Sequence, residues 1–281
     1  DNASTDGTAD LIASRYANSV KYERLPENIG GSGGFHHGMS RAYDDGFDYI
    51  WVMDDDVRPE PDCLHELLAH TGSAGVLAPL HISQEGEIVE PVFISVISEE
   101  REKRDSIRNL FKDEASLPQT IRRDDFTFEG PLFHKSVIAK AGLPRPDYFI
   151  GSDDCEYAWR IAAHGCGPML CVTSARMICT LPRVSSEVPN WRYYYIWRNH
   201  LHVRRAYARN ILASWAVDAR FFSACLKGLV TRRLNGKQVA LRIQAWMDSF
   251  RNPLPRRYLP PQPIARPPAA SSEPAAEKRH S

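Results

Sequence analysis

The run Tyr49-Ile50-Trp51-Val52-Met53 is apolar, short and bounded by polar residues, which predicts a buried strand over 48–53. Upstream, Leu11, Ile12 and Tyr16 recur at helical spacing within Ala9–Ser19. Val20–Leu25 reads as a short strand and Phe35–Asp45 as a helix. Between those two lies a glycine-rich loop, Asn28-Ile29-Gly30-Gly31-Ser32-Gly33-Gly34. Strand, glycine loop, helix and strand in succession predict an α/β protein with a mainly parallel sheet, in which ligands collect at the carboxyl ends of the strands. Further along, Cys63–His70 reads as helix, Val76–Pro79 and Ile88–Ile97 as strands, Glu99–Ser116 as a charged irregular loop, and Phe126–Phe133 as strand and turn. Ser152–His164 is helical by the spacing of Tyr157, Ile161 and His164, and Gly165 closes it. Leu170–Val172 and Met177–Leu181 are short strands, and from Trp191 to about Arg251 the pattern is wholly helical.

The 281 residues suffice for one large domain or a domain with an appendage. The organisation expected is an α/β domain over 1–190, a basic aromatic helical region over 191–251, and a proline-rich disordered tail over 252–281. Formal net charge is zero, but Arg192–Arg257 holds fourteen Lys or Arg against two acids, so that stretch is about +12 and the remainder balances it. Six cysteines show no C-x-x-C pair and no zinc spacing, which reads as reduced thiols in a cytosolic compartment. No signal peptide is visible and no apolar run reaches the roughly 18 residues of a membrane span.

Asp54-Asp55-Asp56 follow the 48–53 strand directly. Three adjacent like charges repel, and either solvent or a cation must offset them. Alternation along an extended segment sends Asp54 and Asp56 one way and Asp55 the other. Two carboxylates on one side suit a hard divalent ion shared with a diphosphate; a solvated turn leading to Glu60 is the plain alternative. A second acidic cluster, Asp153-Asp154-Cys155-Glu156, opens the 152–164 helix. Capping and the helix dipole account for one or two acids there, less well for three beside Trp159 and Arg160.

The glycine segment starts like a dinucleotide fingerprint, but His36 stands where its third glycine belongs, and no Walker lysine follows. It can still present backbone N–H groups to a phosphate, or simply allow close packing. Tyr193-Tyr194-Tyr195-Ile196-Trp197-Arg198-Asn199 opens the basic helices, whose arginines exceed what packing needs and suit an anionic membrane surface or a lipid diphosphate. Nucleic acid is the competing anion, and no nucleic-acid motif is present.

Taken in order, Asp1-Asn2-Ala3-Ser4-Thr5-Asp6-Gly7-Thr8, the glycine segment, Asp54-Asp55-Asp56, and Asp153-Asp154-Cys155-Glu156 with Trp159-Arg160 resemble the family 2 glycosyltransferases of the GT-A fold. The Trp-Val-Met-Asp-Asp-Asp strand end and the Tyr-Tyr-x-x-Arg-Asn segment are similar to bacterial rhamnosyl- and galactofuranosyltransferases, the closest likeness being to actinobacterial enzymes that start galactan. The resemblance covers roughly residues 1–210. It implies a mixed, mainly parallel GT-A sheet flanked by helices, with a C-terminal helical extension. It implies that Asp1, Gly30, Gly31, Gly33 and Asp55 bind a nucleotide-diphosphate sugar, with Asp1 on the base and Asp55 toward the sugar. Asp54 and Asp56 would hold Mg²⁺ or Mn²⁺, and Asp154 would be the catalytic base of an inverting transfer. Asp153, Glu156 and Trp159 would bind the acceptor.

The same resemblance places Thr180 where related enzymes often carry a metal-binding histidine. It also implies that the family's first strand and helix precede Asp1, so the chain is expected to be truncated. The function expected is transfer of galactofuranose or rhamnose to a polyprenyl-diphosphate-linked or polysaccharide acceptor, by a protein peripheral to the inner face of a bacterial cell membrane. A truncated, non-catalytic membrane-associated module is the alternative from another class.

Overall fold

The computed structural model describes residues 1–89, 107, 111, 114–180 and 190–259. They fall into two compact units, residues 1–28 with Leu259, and residues 29–258. In the first, α1 (Thr8–Arg15) buries none of its residues. The strand expected over Val20–Leu25 forms no ladder. Its backbone pairs with Asp1 instead, Leu25 N–H donating to Asp1 O at 2.8 Å and the Asp1 backbone nitrogen to Glu23 O at 2.7 Å.

The second unit is mixed α/β. In chain order it contains α2 (Gly30–Asp44), β1 (Tyr49–Trp51), β2 (Val57–Pro59), α3 (Cys63–Leu68), β3 (Val76–Ile82) and β4 (Thr120–Arg123). There follow β5 (Leu132–His134), α4 (Lys135–Ala141), α5 (Asp153–Ala163), β6 (Met169–Cys179), and the helices α6 (Asn190–Ala206), α7 (Ile211–Val230) and α8 (Gly236–Asp248). The sheet runs β1-β5-β3-β6-β2, with β4 also on β6. The mixed architecture is the expected one, but its balance differs. Among the described residues only β3–β6 is parallel, and the other four ladders are antiparallel. The reason lies in β5, which inserts between β1 and β3 and runs against both.

β6 organises the sheet. The two short strands read from the sequence are one eleven-residue strand, paired with β3 along its length. The ladder shifts register between Pro79 and Leu80, where proline supplies no N–H. The opposite edge of β6 is shared, β4 taking Met169–Val172 and β2 taking Met177–Cys179. β4 was not anticipated, because its Thr-Ile-Arg-Arg sequence carries little apolar signal.

Phe126, Phe128, Phe133 and Tyr157 form an aromatic core against Met39, Val76, Val137 and Ile161. Phe35 stacks on Phe128 at 4.3 Å between centroids, which fastens α2 to this core. The 126–133 segment is therefore mostly irregular, with β5 only at its end; its phenylalanines are placed by packing rather than by a ladder. Helices α6–α8 lie in the same compact unit as the sheet. The start of the expected disordered tail is also packed there. Leu254 is buried, Arg257 pairs with Asp248, and Tyr258 O–H donates to Gln244 Oε1 at 2.8 Å. The 90–97 part of the expected 88–97 strand, most of the 99–116 loop, and 260–281 lie outside the described residues. All six cysteines are free and buried.

Candidate active site

The Asp54–Asp56 turn is tied down at both ends. Before it, Val52 N–H donates to Pro131 O at 3.2 Å, Gly130 N–H returns to Val52 O at 2.9 Å, and the Trp51 indole donates to Gly130 O at 2.8 Å. After it, Val57 pairs with Cys179. Thr180 donates to the Asp56 carbonyl twice, from N–H at 3.0 Å and from Oγ1 at 2.6 Å. The position expected to offer a third metal ligand thus fixes the backbone of Asp56 instead. Asp55 is exposed while Asp54 and Asp56 are half-buried.

The second cluster rides on an unusual loop. Phe149, Gly151 and Ser152 have φ of 67°, 80° and 62°, the left-handed region that disfavours residues with a Cβ. Each such non-glycine costs on the order of 1–3 kcal/mol unless its surroundings enforce it. Here α6 enforces it. Asn199 Nδ2 donates to Tyr148 O, Ile150 O and Gly151 O at 2.9, 3.0 and 2.6 Å. Arg198 donates to Asp147 O and Tyr148 O at 2.9 and 2.8 Å, and also to Pro255 O. Both side chains are fully buried. The loop ends at Ser152, and α5 begins with Asp153 and Asp154 in its first turn.

The two clusters converge. Burial chiefly, then the charges of Asp56, Glu129, Asp153 and Asp55, push Asp54 up to about 7. Asp153 is pushed up to about 6 by burial, with the Glu156 charge adding and backbone N–H groups of Asp153, Gly151 and Asp154 opposing. Asp154 is held well above the carboxylate range by burial first, then by Asp153; its Oδ1 accepts from Cys155 N–H at 2.7 Å, and Asp125 and Glu129 add repulsion. The Glu129 charge adds repulsion at both Asp54 and Asp154.

Asp125 and Glu129 were not singled out from the sequence. The signal was present in Asp125-Phe126-Thr127-Phe128-Glu129, where two buried phenylalanines fix the acids that flank them. Glu129 is further located by His81, whose Nε2 lies 2.8 Å from Glu129 O and 3.4 Å from Oε2.

Asp56 Oδ1 is buried without a hydrogen-bond partner. An orphaned carboxylate oxygen beside an Asp whose proton affinity is raised chiefly by burial, and further by neighbouring carboxylates, is what a divalent ion would satisfy, so Asp54 and Asp56 fit one. Among the described residues no three His, Cys, Asp or Glu side chains close into a metal-ligand set.

The remaining expected residues are placed as follows. The glycine segment is not a loop but the first turn of α2. Ser32 holds it in helical form, its N–H donating to Phe149 O at 3.3 Å and its hydroxyl to Arg145 O. At Gly30, φ is 80° and a Cβ would stand 2.1 Å from Phe149 O, so this glycine serves close packing against the 145–149 loop. A Cβ on Gly33 would meet Ile29, whereas Gly31 faces open space. Asp1, within the N-terminal unit, accepts from Ser4 N–H at 2.9 Å and from the Tyr22 hydroxyl. Glu156 is committed to Arg160 at 2.9 and 3.0 Å and to the Tyr207 hydroxyl at 3.0 Å. Trp159 is half-buried with its ring edge-on to Tyr207 at 5.8 Å.

Residues 1–123 of this chain match the family model described as Glycosyl transferase family 2. The chain is similar to galactofuranosyltransferase GlfT2 of Mycolicibacterium smegmatis, 28% identical over 216 residues, 70% of this chain and 33% of the relative. It is similar also to galactofuranosyltransferase GlfT1 of the same organism, 31% identical over 159 residues, 53% of this chain and 49% of the relative. The chain thus spans about a third to a half of the length of the curated relatives it matches. Among solved structures, GalNAc-T7 with UDP, GalNAc and Mn²⁺ aligns at TM-score 0.47 and 13% identity over 84% of this chain and 45% of that one. The mannosyltransferase PcManGT from Pyrobaculum calidifontis with GDP-Man and Mn²⁺ aligns at 0.47 and 15% over 90% and 76%.

Two outcomes are expected. Asn199→Ala removes a donor from the carbonyls of Tyr148, Ile150 and Gly151, of which Tyr148 O keeps Arg198; a lost hydrogen bond of this kind is worth about 1–3 kcal/mol, and chemical denaturation will show a loss of at least that size. In chelator, Asp54 retains a proton in the folded state up to about pH 7 that the unfolded chain releases near 3.8, so its contribution favours folding at low pH and is lost as pH rises through that window. His200, pushed down to about 4 by burial, tilts the total the other way. The readout is therefore the difference between wild type and Asp54→Asn. The variant gains melting temperature relative to wild type from pH 5 to pH 7.5, and a constant difference contradicts the assignment.

Proposed function

We propose that the chain carries the catalytic site of a metal-dependent inverting glycosyltransferase, which moves galactofuranose or rhamnose from a nucleotide-diphosphate donor to a lipid-linked or cell-envelope glycan. The observation that supports this reading is the convergence of the Asp54–Asp56 turn with Asp153, Asp154 and Glu129 in one mutually repelling cluster. Packing alone gives no reason to assemble it. The relatives' names motivate the choice of galactofuranose for the first test.

Asp54 and Asp56 would hold Mg²⁺ or Mn²⁺, which when bound neutralises the donor diphosphate and eases its departure as a Lewis acid. The rest is done by the chain's own groups. Thr180 and the Trp51–Gly130 bond hold the turn in register, and Asp55, on its exposed side, meets the donor sugar. Asp154 takes the proton of the acceptor hydroxyl as that oxygen attacks the anomeric carbon from the face opposite the leaving diphosphate, which inverts the centre. Its raised proton affinity favours this task, and Cys155 N–H orients the carboxylate. Asp153 meets the acceptor sugar, with Trp159 at its side. Glu156, locked to Arg160 and Tyr207, braces the helix that presents them. The roles of Asp1 and Gly31 toward the nucleotide rest on the motif resemblance. The site works at the cytoplasmic membrane face, in peripheral contact with anionic lipid.

Asp154→Asn should lower transfer by at least about 10²-fold while donor binding persists; undiminished turnover removes the base assignment. Asp56→Ala should weaken Mn²⁺-dependent binding of nucleoside diphosphates in a calorimetric titration, and a titration identical to wild type removes the metal role.

A further inference from the structure

Helix α7 has two unlike faces. Phe221, Cys225 and Gly228 are buried, Phe221 lying edge-on to Trp197 at 5.7 Å. The other side exposes Ile211, Leu212, Trp215, Phe222, Leu226 and Val230, from 40% at Phe222 to 75% at Val230. At helical spacing these six fall within an arc of about 100° and run the helix's full length of about 30 Å. So large a continuous apolar stripe is unusual on a surface meant for water.

The charges around it have one sign. From Ala206 to Met247 the chain carries seven Lys or Arg and a single acid, Asp218. That acid is turned inward, accepting from Arg205 Nε at 3.1 Å and Trp246 Nε1 at 2.9 Å. Arg220 and Lys227 follow one edge of the apolar arc, and the exposed Arg232 and Arg233 continue beyond its end.

We infer that α7 is a docking surface for an anionic lipid bilayer, on which it lies in the plane of the interface. Trp215, Phe222 and Leu226 enter the acyl boundary while the cations meet lipid phosphates. Charge complementarity selects this occupant. A second copy would bring like charges face to face, and a water-soluble polyanion would leave the stripe uncovered. Among the described residues no helix is long and apolar enough to cross a membrane, so the contact is with the surface. The inference refines the membrane contact proposed above, but its evidence is independent of the acidic site.

The test is flotation of the full chain with phosphatidylcholine vesicles and with mixed phosphatidylcholine–phosphatidylglycerol vesicles, neither holding donor or acceptor. Wild type should float with the mixed vesicles and not with phosphatidylcholine alone. Trp215→Ser with Leu226→Ser, both exposed and therefore neutral for the melting temperature, should weaken the partition about tenfold or more. Lys227→Gln with Arg232→Gln and Arg233→Gln should shift release to lower salt. Wild type that does not float, or serine variants that float equally, overturns the proposal. So does a dimer, seen by light scattering, that the serine substitutions dissolve, since the occupant is then a second copy. Retention by soluble polyglutamate equal to that by mixed vesicles overturns it as well, because charge alone then explains binding. Failure of flotation leaves the transfer chemistry untouched, and absence of transfer with intact flotation leaves the docking face standing.

Discussion

An arginine and an asparagine without any exposed surface hold the structure's most demanding segment in place. Arg198 and Asn199 donate to carbonyls from Asp147 to Gly151, and the rings of Tyr194 and Tyr195 lie 5.6 and 4.8 Å from the guanidinium. A loop with successive left-handed residues cannot satisfy its own carbonyls by a regular ladder, so donors have to come from elsewhere. Burying a guanidinium is costly, and burial accordingly pulls the Arg198 pKa down. The cost is offset only while the loop keeps the shape that presents those carbonyls. Clamp and loop therefore enforce one another, and α5 inherits its starting position from both.

That position matters because α5 carries Asp153 and Asp154 against the Asp54–Asp56 turn and Glu129. The fold spends stability to bring these groups together. Rigid anchoring by Thr180, Gly130 and Asn199 prevents them from relaxing apart, which separates this cluster from a solvated acidic surface, where side chains simply move away. A site that stores repulsion is prepared for a cationic or proton-donating visitor.

Much of this was legible in the sequence. Helix 152–164 was readable because its apolar spacing and closing glycine agree. The Asp54–Asp56 turn was readable because it follows an apolar run. The glycine segment was misassigned as a loop, since local propensity argues against helix there; tertiary bonds from Ser32 to Phe149 and Arg145 override it. β4 was invisible because its pairing with β6 is set by a neighbour distant in sequence. Asp125 and Glu129 lacked a motif, and only the packing of Phe126 and Phe128 gives them a place. Arg198 and Asn199 were noticed as part of a basic aromatic segment, but nothing linear in the chain points from them to a loop some fifty residues earlier.

The six free cysteines are all shielded from solvent, and burial pushes the Cys63 thiol up to about 12. A thiol in that state reacts with an alkylating reagent only during an excursion that uncovers it. Cys155 sits one residue after Asp154, and Cys225 lies on the inward side of α7. The native chain thus contains two internal clocks, one timing openings of the acidic cluster and the other timing departures of α7 from the body of the protein, with no label added.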